Sequence, residues 1–276
     1  PAIGRIRVGH IKEPVRYSVL TSGRFLTFMH RPENQYFIPS RSYGILLFND
    51  FYNKRLSAQL GAFLMEGKHL NKKSDGYAFT GRITGLPVWD ETSDHLLHLG
   101  LSMSFRQPKS KTHLFKFPEG LSHVSIMGEE MAGNVKHLQL QNAELLYLNG
   151  SFSVQSEYLL NRLKTESKNL TFSNFYTEIS WILTGEHKAY RGSYQGSGRV
   201  IPNRNLSINN GGWGALELAL RFSSLELDED LFQFHSKRDW TVGVNWYLNP
   251  NSRLMMNYVF SDFQEGAEIQ TFAARL

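Results

Sequence analysis

Apolar and polar residues alternate with a period of two along most of the 276-residue chain. From Leu97 to Arg106, leucine, methionine and phenylalanine occupy every second position, with His, Gly, Ser and Arg between them. Alternate residues of a β-strand point to opposite faces, so each such segment is predicted to separate an apolar environment from a polar one. By this rule the chain has roughly a dozen strands, and helical periodicity is nearly absent.

Strand length and aromatic positions distinguish two all-β architectures that share this alternation. Several segments run for about ten residues or more, as tilted bilayer-crossing strands do, whereas strands of soluble β-sandwiches usually have about five or six. Phe105, Tyr158, Trp181, Trp240 and Trp246 lie on the apolar faces, several near strand ends, as in an aromatic girdle. We therefore predict an antiparallel transmembrane β-barrel, with a soluble β-sandwich as the alternative.

The connections between the predicted strands are of two kinds. Gln107–Val135 and Thr184–Gly212 are long and polar, whereas Asn49–Lys54, Asn149–Ser151 and Asn249–Ser252 are short. In outer-membrane barrels the long loops lie at one rim and the tight turns at the other. The sequence thus predicts that the two long connections share a rim.

The composition limits the possible partners. The chain has no cysteine, which excludes a disulfide framework and a thiolate metal site. Its formal net charge of +5, from 30 basic and 25 acidic residues, favours anionic partners. The basic residues alternate within strands, opposite the aromatic ones, which argues against nucleic-acid binding. No signal peptide is visible, so we expect a mature chain or a fragment.

The polar faces of the predicted strands are rich in arginine. Guanidinium groups stay protonated and match oxyanions with planar donors. Some arginines are expected to pair with acids such as Glu157 and Glu217, and the excess would make the lumen positive. Several sites of moderate affinity in series conduct ions better than one site of high affinity, so the pattern predicts a passive anion channel. The arginines on this parity are Arg5, Arg7, Arg82, Arg106, Arg221, Arg253 and Arg275.

Several stretches resemble the phosphate-selective porin O and P family of bacterial outer-membrane channels. The stretch 8–14 reads VGHIKEP and 20–31 reads LTSGRFLTFMHR, and both are similar to the family's motifs. Further stretches agree in order at 79–87, 180–187, 212–219 and 243–251. The resemblance implies a homotrimer of barrels with about sixteen strands each, embedded in outer-membrane lipid and passing phosphate or other small anions.

The family resemblance also implies where selectivity would reside. Residues 13–42 resemble the infolded constriction loop, and Arg24 lies where the family has a basic residue near the narrowest point. The chain would then be a fragment with about twelve of the sixteen strands, lacking the amino-terminal part and the last few residues. His10, Ile11 and His30 depart from the family pattern. The predicted pore-lining residues are Arg24, Arg31, Arg41, Arg82, Arg106, Arg221, Arg253 and Arg275.

Candidate catalytic groups fail a geometric test. His98 and Ser102 share a strand face but lie ~13 Å apart along the strand, beyond hydrogen-bond reach. His95 and His98 point to opposite faces and cannot hold one metal ion. We predict no enzyme activity, no catalytic residue, no metal and no cofactor. A soluble binding or adhesion module and, behind it, an outer-membrane barrel hydrolase remain the alternatives.

Overall fold

The chain folds almost entirely into antiparallel β-strands. The computed structural model describes residues 4–32, 38–65, 76–90, 95–109, 112–116, 129–207, 209, 211–229, 236–263 and 268–276. Helical structure in this part of the chain consists of α1 (Tyr17–Leu20) and a 3₁₀ turn (Gly23–Phe25). No helix among the described residues is long and apolar enough to span a membrane. The strands are β1 (Arg5–Lys12), β2 (Arg41–Phe51), β3 (Leu56–Leu64), β4 (Gly76–Asp90), β5 (His95–Pro108), β6 (Thr112–Lys116), β7 (Glu129–Asn149), β8 (Phe152–Thr165), β9 (Asn169–Ile182), β10 (Ala215–Glu226), β11 (Ser236–Asn249), β12 (Ser252–Phe263) and β13 (Glu268–Arg275).

The strands form a single sheet in sequence order. Each pairs with its sequence neighbour from β1 to β13, except that β6 pairs with β7 beside the main path, where β5 pairs directly with β7. The described residues therefore place twelve strands along one continuous path, with β1 bonded to β2 alone and β13 to β12 alone. A sandwich needs a second packed sheet. The order instead is the up-and-down meander of a porin-like β-barrel, as the alternation predicts.

Burial across the sheet is inverted relative to a water-soluble protein. On β5, Leu99, Leu101 and Phe105 are exposed, whereas His98 and Ser104 have no exposed surface. The same inversion holds on β10 and β11, where the apolar positions face outward. The outer face is therefore suited to hydrocarbon, and the polar face lines a lumen. This confirms the predicted orientation of the alternating faces.

Outward-facing aromatic side chains occur near both rims of the barrel. We call the rim with the connections at 52–55, 150–151 and 250–251 the turn rim, and the opposite one the loop rim. Tyr77 and Phe105 are exposed near the loop rim, and Phe152 and Trp181 near the turn rim. Two such belts mark the two interfaces of a bilayer, so the outer surface between them has the character of a membrane-facing band.

The two long connections lie at opposite rims, so the prediction that they share one is wrong. Residues 107–109, 112–116 and 129–135, the described part of the first connection, lie at the loop rim and include β6 and the start of β7; residues 110–111 and 117–128 fall outside the described residues. Residues 183–214 join β9 to β10 at the turn rim. Within this second connection, Ser193, Ser197 and Val200 are buried. The segment therefore folds into the lumen and does not extend into solvent.

Candidate functional site

A segment from the loop rim lines the inside of the barrel. This loop-rim segment, residues 13–31, follows β1 and contains α1. Near its start, Arg106 Nη1 donates to Glu13 Oε2 at 2.7 Å, and Ser42 Oγ donates to Glu13 Oε1 at 2.5 Å. Near its end, Arg253 Nη1 donates to the Leu26 carbonyl at 2.8 Å. The segment is thus held by β2 and β5 on one side and by β12 on the other.

A buried ion pair attaches α1 to the wall. Arg16 Nε donates to Glu157 Oε2 at 2.7 Å, and neither side chain has exposed surface. Ser18 contributes two more hydrogen bonds to Glu157, from its backbone N–H at 2.8 Å and its hydroxyl at 2.7 Å. Arg16 Nη1 and Nη2 have no hydrogen-bond partner among the described residues. Glu157 is therefore the carboxylate that balances this buried cation.

A second buried carboxylate, Glu144 on β7, gathers groups from the wall and from both inward segments. It pairs with Arg82, accepts from the Tyr17 backbone N–H at 2.9 Å, and lies 2.9 Å from His98 Nε2. The other ring nitrogen of His98 lies 2.9 Å from the Tyr190 hydroxyl. Burial raises the pKa of Tyr190, which keeps this hydroxyl protonated. The cluster therefore joins the wall to Tyr17 and Tyr190, and within it the charge of Arg82 is balanced by that of Glu144.

The connection from the turn rim meets the loop-rim segment inside the lumen. We call its residues 184–207 the turn-rim segment. Ser197 N donates to Thr21 Oγ1 at 3.2 Å, and Lys188 Nζ donates to Thr27 Oγ1 at 2.7 Å. Gly196 has φ +71°, and a Cβ there would stand 2.2 Å from Thr21 Oγ1. The approach of the two segments thus depends on a residue with no side chain.

A cavity of about 300 Å³ lies where these two segments face β1, β2 and β3. Its charged lining consists of Arg7, Lys12, Arg41 and Arg191, and it contains no carboxylate. Within the part of the chain that the structure describes, no acceptor pairs with the side chains of Arg7, Arg41 or Arg191. Lys12 Nζ donates to the Leu20 and Thr21 carbonyls at 2.9 and 3.2 Å. The cavity therefore presents basic groups whose hydrogen-bonding capacity is largely unused.

Uncharged polar groups complete the charged side of the cavity. Gln59 lines it and is 97 % buried (3 % exposed), yet neither atom of its amide has a hydrogen-bond partner among the described residues. Such a buried amide is costly unless a ligand or water satisfies it. The Tyr194 hydroxyl donates to Asp50 Oδ1 at 2.6 Å, and burial raises the pKa of Tyr194 to about 12. Tyr194 therefore adds no negative charge to the site at neutral pH.

Several of the predicted pore-lining arginines are bonded to acidic side chains or backbone carbonyls of the protein. Arg82 and Arg106 form buried ion pairs with Glu144 and Glu13. Arg221 donates to the His30 carbonyl at 2.9 Å, as Arg253 does to Leu26.

The remaining predicted arginines are spread along the lumen. Arg31 donates to the Ser18 and Thr21 carbonyls, and burial lowers its pKa. Arg275 Nη2 lies 3.1 Å from Met255 Sδ on the β12–β13 edge. Arg24 is exposed in the 3₁₀ turn and Arg41 lines the basic cavity. Of the eight predicted residues, Arg41 alone is among the lining of this cavity.

Most residues of the cavity were not on the predicted list of pore-lining residues, Arg7, Gln59 and Arg191 among them. Arg7 could have been included, because it lies on the polar parity of β1. Gln59 also lies on a polar face, but an isolated glutamine carries no signal of ligand binding. Arg191 lies in an irregular segment, and only the inward fold of that segment brings it to the site.

The geometry defines a class: a membrane β-barrel with a polar lumen that two inward segments occupy. Comparison with known proteins identifies the family within that class. The family described as "Phosphate-selective porin O and P" matches residues 2–267, and the chain belongs to it. It is therefore a bacterial outer-membrane β-barrel protein.

Two curated relatives match parts of the chain. An uncharacterised protein of Caulobacter vibrioides is 25 % identical over 204 residues, which cover 72 % of this chain and 40 % of the relative. Porin O of Pseudomonas aeruginosa is 26 % identical over 140 residues, which cover 46 % of this chain and 31 % of that protein. The matched regions thus span less than half the length of either relative.

The residues considered for hydrolysis have other partners. Ser102 Oγ donates to the Val15 carbonyl at 2.5 Å, and His98 is bonded to Glu144 and Tyr190. His95 lies on the outer side, where its ring meets that of Tyr147 at 5.7 Å. The histidines therefore face opposite sides of the wall, as the spacing predicts, and Ser102 anchors the loop-rim segment.

Proposed function

We propose that this protein conducts small anions passively through an arginine-lined lumen, with phosphate or related oxyanions as its natural solutes. The observation that carries the proposal is the cavity formed by Arg7, Lys12, Arg41 and Arg191 without a carboxylate. Elsewhere in the lumen, buried arginines are neutralised by acids such as Glu13 and Glu144. The cavity therefore places four basic groups, with no acid among its lining, beside the two inward segments, where a passing ion would encounter them.

The strength of such contacts suits conduction better than trapping. At ~4 Å and an effective dielectric constant of ~20, one charge pair contributes about 4 kcal/mol before desolvation. Arg7, Arg41 and Arg191 reach the cavity from three different elements, so an ion can exchange one contact for the next. Several moderate sites in series allow an ion to leave as readily as it enters.

Residues 13–42 are proposed as the constriction loop, and residues 33–37 of that range lie outside the described part. The contacts of the loop-rim segment with β5, β8 and β12 support this role. Exposed Arg24 is proposed to face the passing ion. By analogy with the family, assembly as a homotrimer in outer-membrane lipid is part of the same proposal.

Reversal potentials in planar bilayers test the proposed function. In a salt gradient the full-length protein is expected to prefer chloride and phosphate over potassium. The double variant Arg7→Gln/Arg191→Gln removes two unpaired charges from the cavity and should lower anion preference by about threefold or more. Arg162→Gln removes an exposed charge from β8 and is the matched control, with no expected change. A cation-preferring native channel would refute the proposal.

A further inference from the structure

The basic cavity is larger than an inorganic oxyanion needs. Its volume of about 300 Å³ falls at the lower end of the range for small-molecule sites, roughly 300–1,000 Å³. Taking ~30 Å³ per water molecule in the liquid, it corresponds to roughly ten waters. An inorganic phosphate would fill only a fraction of this space. The remaining volume has to be occupied by water or by another part of the solute.

Much of the cavity wall is apolar. Ile11, Leu20, Leu46 and Phe48 line it, and Leu46 and Phe48 are buried in the described structure. The Phe48 ring lies 4.6 Å from the ring of Tyr194 and forms an aromatic corner with it. Water against such a surface is unfavourable. A strongly hydrated inorganic anion would gain nothing from this side of the cavity.

The apolar wall and the basic groups are immediate neighbours. Arg7 pairs with Leu46 across β1 and β2, and its guanidinium carbon lies 5.1 Å from the centre of the Phe48 ring. Gln59, with its unsatisfied amide, pairs with Phe48 across β2 and β3. A solute held by Arg7 through its anionic group would therefore place its next atoms against hydrocarbon.

We propose that this cavity selects small organic anions in which an oxyanion group is joined to a compact hydrocarbon part, phosphate monoesters in particular. The inference rests on the proposed anion-conducting function and specifies its substrate class. The basic groups bind the oxyanion, the Gln59 amide bonds to a polar substituent or a retained water, and Leu46 and Phe48 contact the hydrocarbon. Such a division between an apolar wall and a few polar groups is general for small-molecule sites.

Competitive block of chloride current distinguishes this substrate class from inorganic phosphate. The full-length protein is reconstituted in bilayers at a pH where phosphate, methyl phosphate and phenyl phosphate are all dianions. We expect phenyl phosphate to reduce chloride current at about tenfold lower concentration than phosphate, because part of its ring leaves water. Methyl phosphate, which has the ester but little apolar surface, should behave like phosphate.

Variants of the apolar wall locate the effect. Ile11→Thr/Leu46→Asn makes the wall polar at similar volume and should reduce the preference for phenyl phosphate to about twofold or less. Inorganic phosphate has no hydrocarbon part to contact this wall, so its block should change much less than that of phenyl phosphate. Ile11→Thr alone, expected to give an intermediate loss, serves if the double variant does not assemble. Val259→Thr, on the lumenal face of β12 outside the cavity, is the matched control.

The outcomes separate this inference from the function on which it rests. An anion-selective channel that phosphate and phenyl phosphate block equally would overturn the inference and leave the proposed function intact. The same holds for a phenyl phosphate preference that survives in the assembled double variant, because the apolar wall would then not be its source. A native channel that prefers cations would remove the proposed function itself.

Discussion

Neutralising Glu157 should release α1 from the barrel wall. In Glu157→Gln, the amide oxygen can still accept from the Ser18 N–H, but Arg16 becomes a buried cation without a counter-charge. Arg16 Nη1 and Nη2 have no substitute acceptor among the described residues. Breaking a buried ion pair by removing one partner costs ~3–5 kcal/mol. Because ~1.4 kcal/mol is a factor of ten, local opening of α1 should become at least about a hundredfold more frequent.

Amide hydrogen exchange followed by mass spectrometry measures this opening directly. The reporters are the N–H groups of Leu20 and Thr21, which bond to the Arg16 and Tyr17 carbonyls at 3.1 and 2.9 Å in α1. Their protection should fall at least about a hundredfold in Glu157→Gln. Glu226→Gln, which neutralises an exposed carboxylate on β10, should leave them unchanged.

A second variant tests whether charge is the cause. Arg16→Met/Glu157→Gln removes both charges while keeping an acceptor for Ser18, and replacing a buried pair by neutral groups is often close to neutral. Protection should therefore recover to within about tenfold of the native value. Unchanged exchange in Glu157→Gln, or no recovery in the double variant, would refute the role assigned to this ion pair.

Two further substitutions probe the lumen by single-channel recording. Arg24→Ala should shift the reversal potential toward lower anion preference, because it removes an exposed charge from the loop-rim segment; an unchanged potential would exclude Arg24 from selectivity. Gly196→Ala should raise current noise and conductance by about twofold, since its Cβ would collide with Thr21 and separate the two inward segments. Gly192→Ala carries similar backbone strain at φ +93° but meets nothing within 4 Å, and equal behaviour of both variants would contradict this mechanism.

The alternating pattern was sufficient to predict the fold because one physical rule applies to nearly every strand. β7 shows where that rule stops. Leu140 and Leu146 point into the lumen, while Gln139 and Gln141 occupy the opposite parity. Leu140 packs with residues of the loop-rim segment, Val15 among them. An apolar side chain can face inward here because the loop-rim segment covers it. The alternation within β7 itself cannot predict that such a segment is present.

For a related reason, the sequence could not predict which arginines are paired with an acid. Arg82 and Arg7 look alike in the sequence, since both lie on the polar parity of a strand. The partner of Arg82 is Glu144, 62 residues away, whereas Arg7 has no acid in reach among the described residues. Strand parity fixes which face a charge lies on. Only the barrel's curvature and the inward segments decide whether another charge meets it there.

The two inward segments start at opposite rims of the barrel and contact each other inside the lumen. Thr21 enters from the loop rim and Ser197 from the turn rim, and they touch through a hydrogen bond. If only one of the two segments were replaced by that of a relative, the new segment would carry a surface that fits the relative's other segment and not this one. Exchanging the lumen lining between members of this family therefore requires that both segments be moved together.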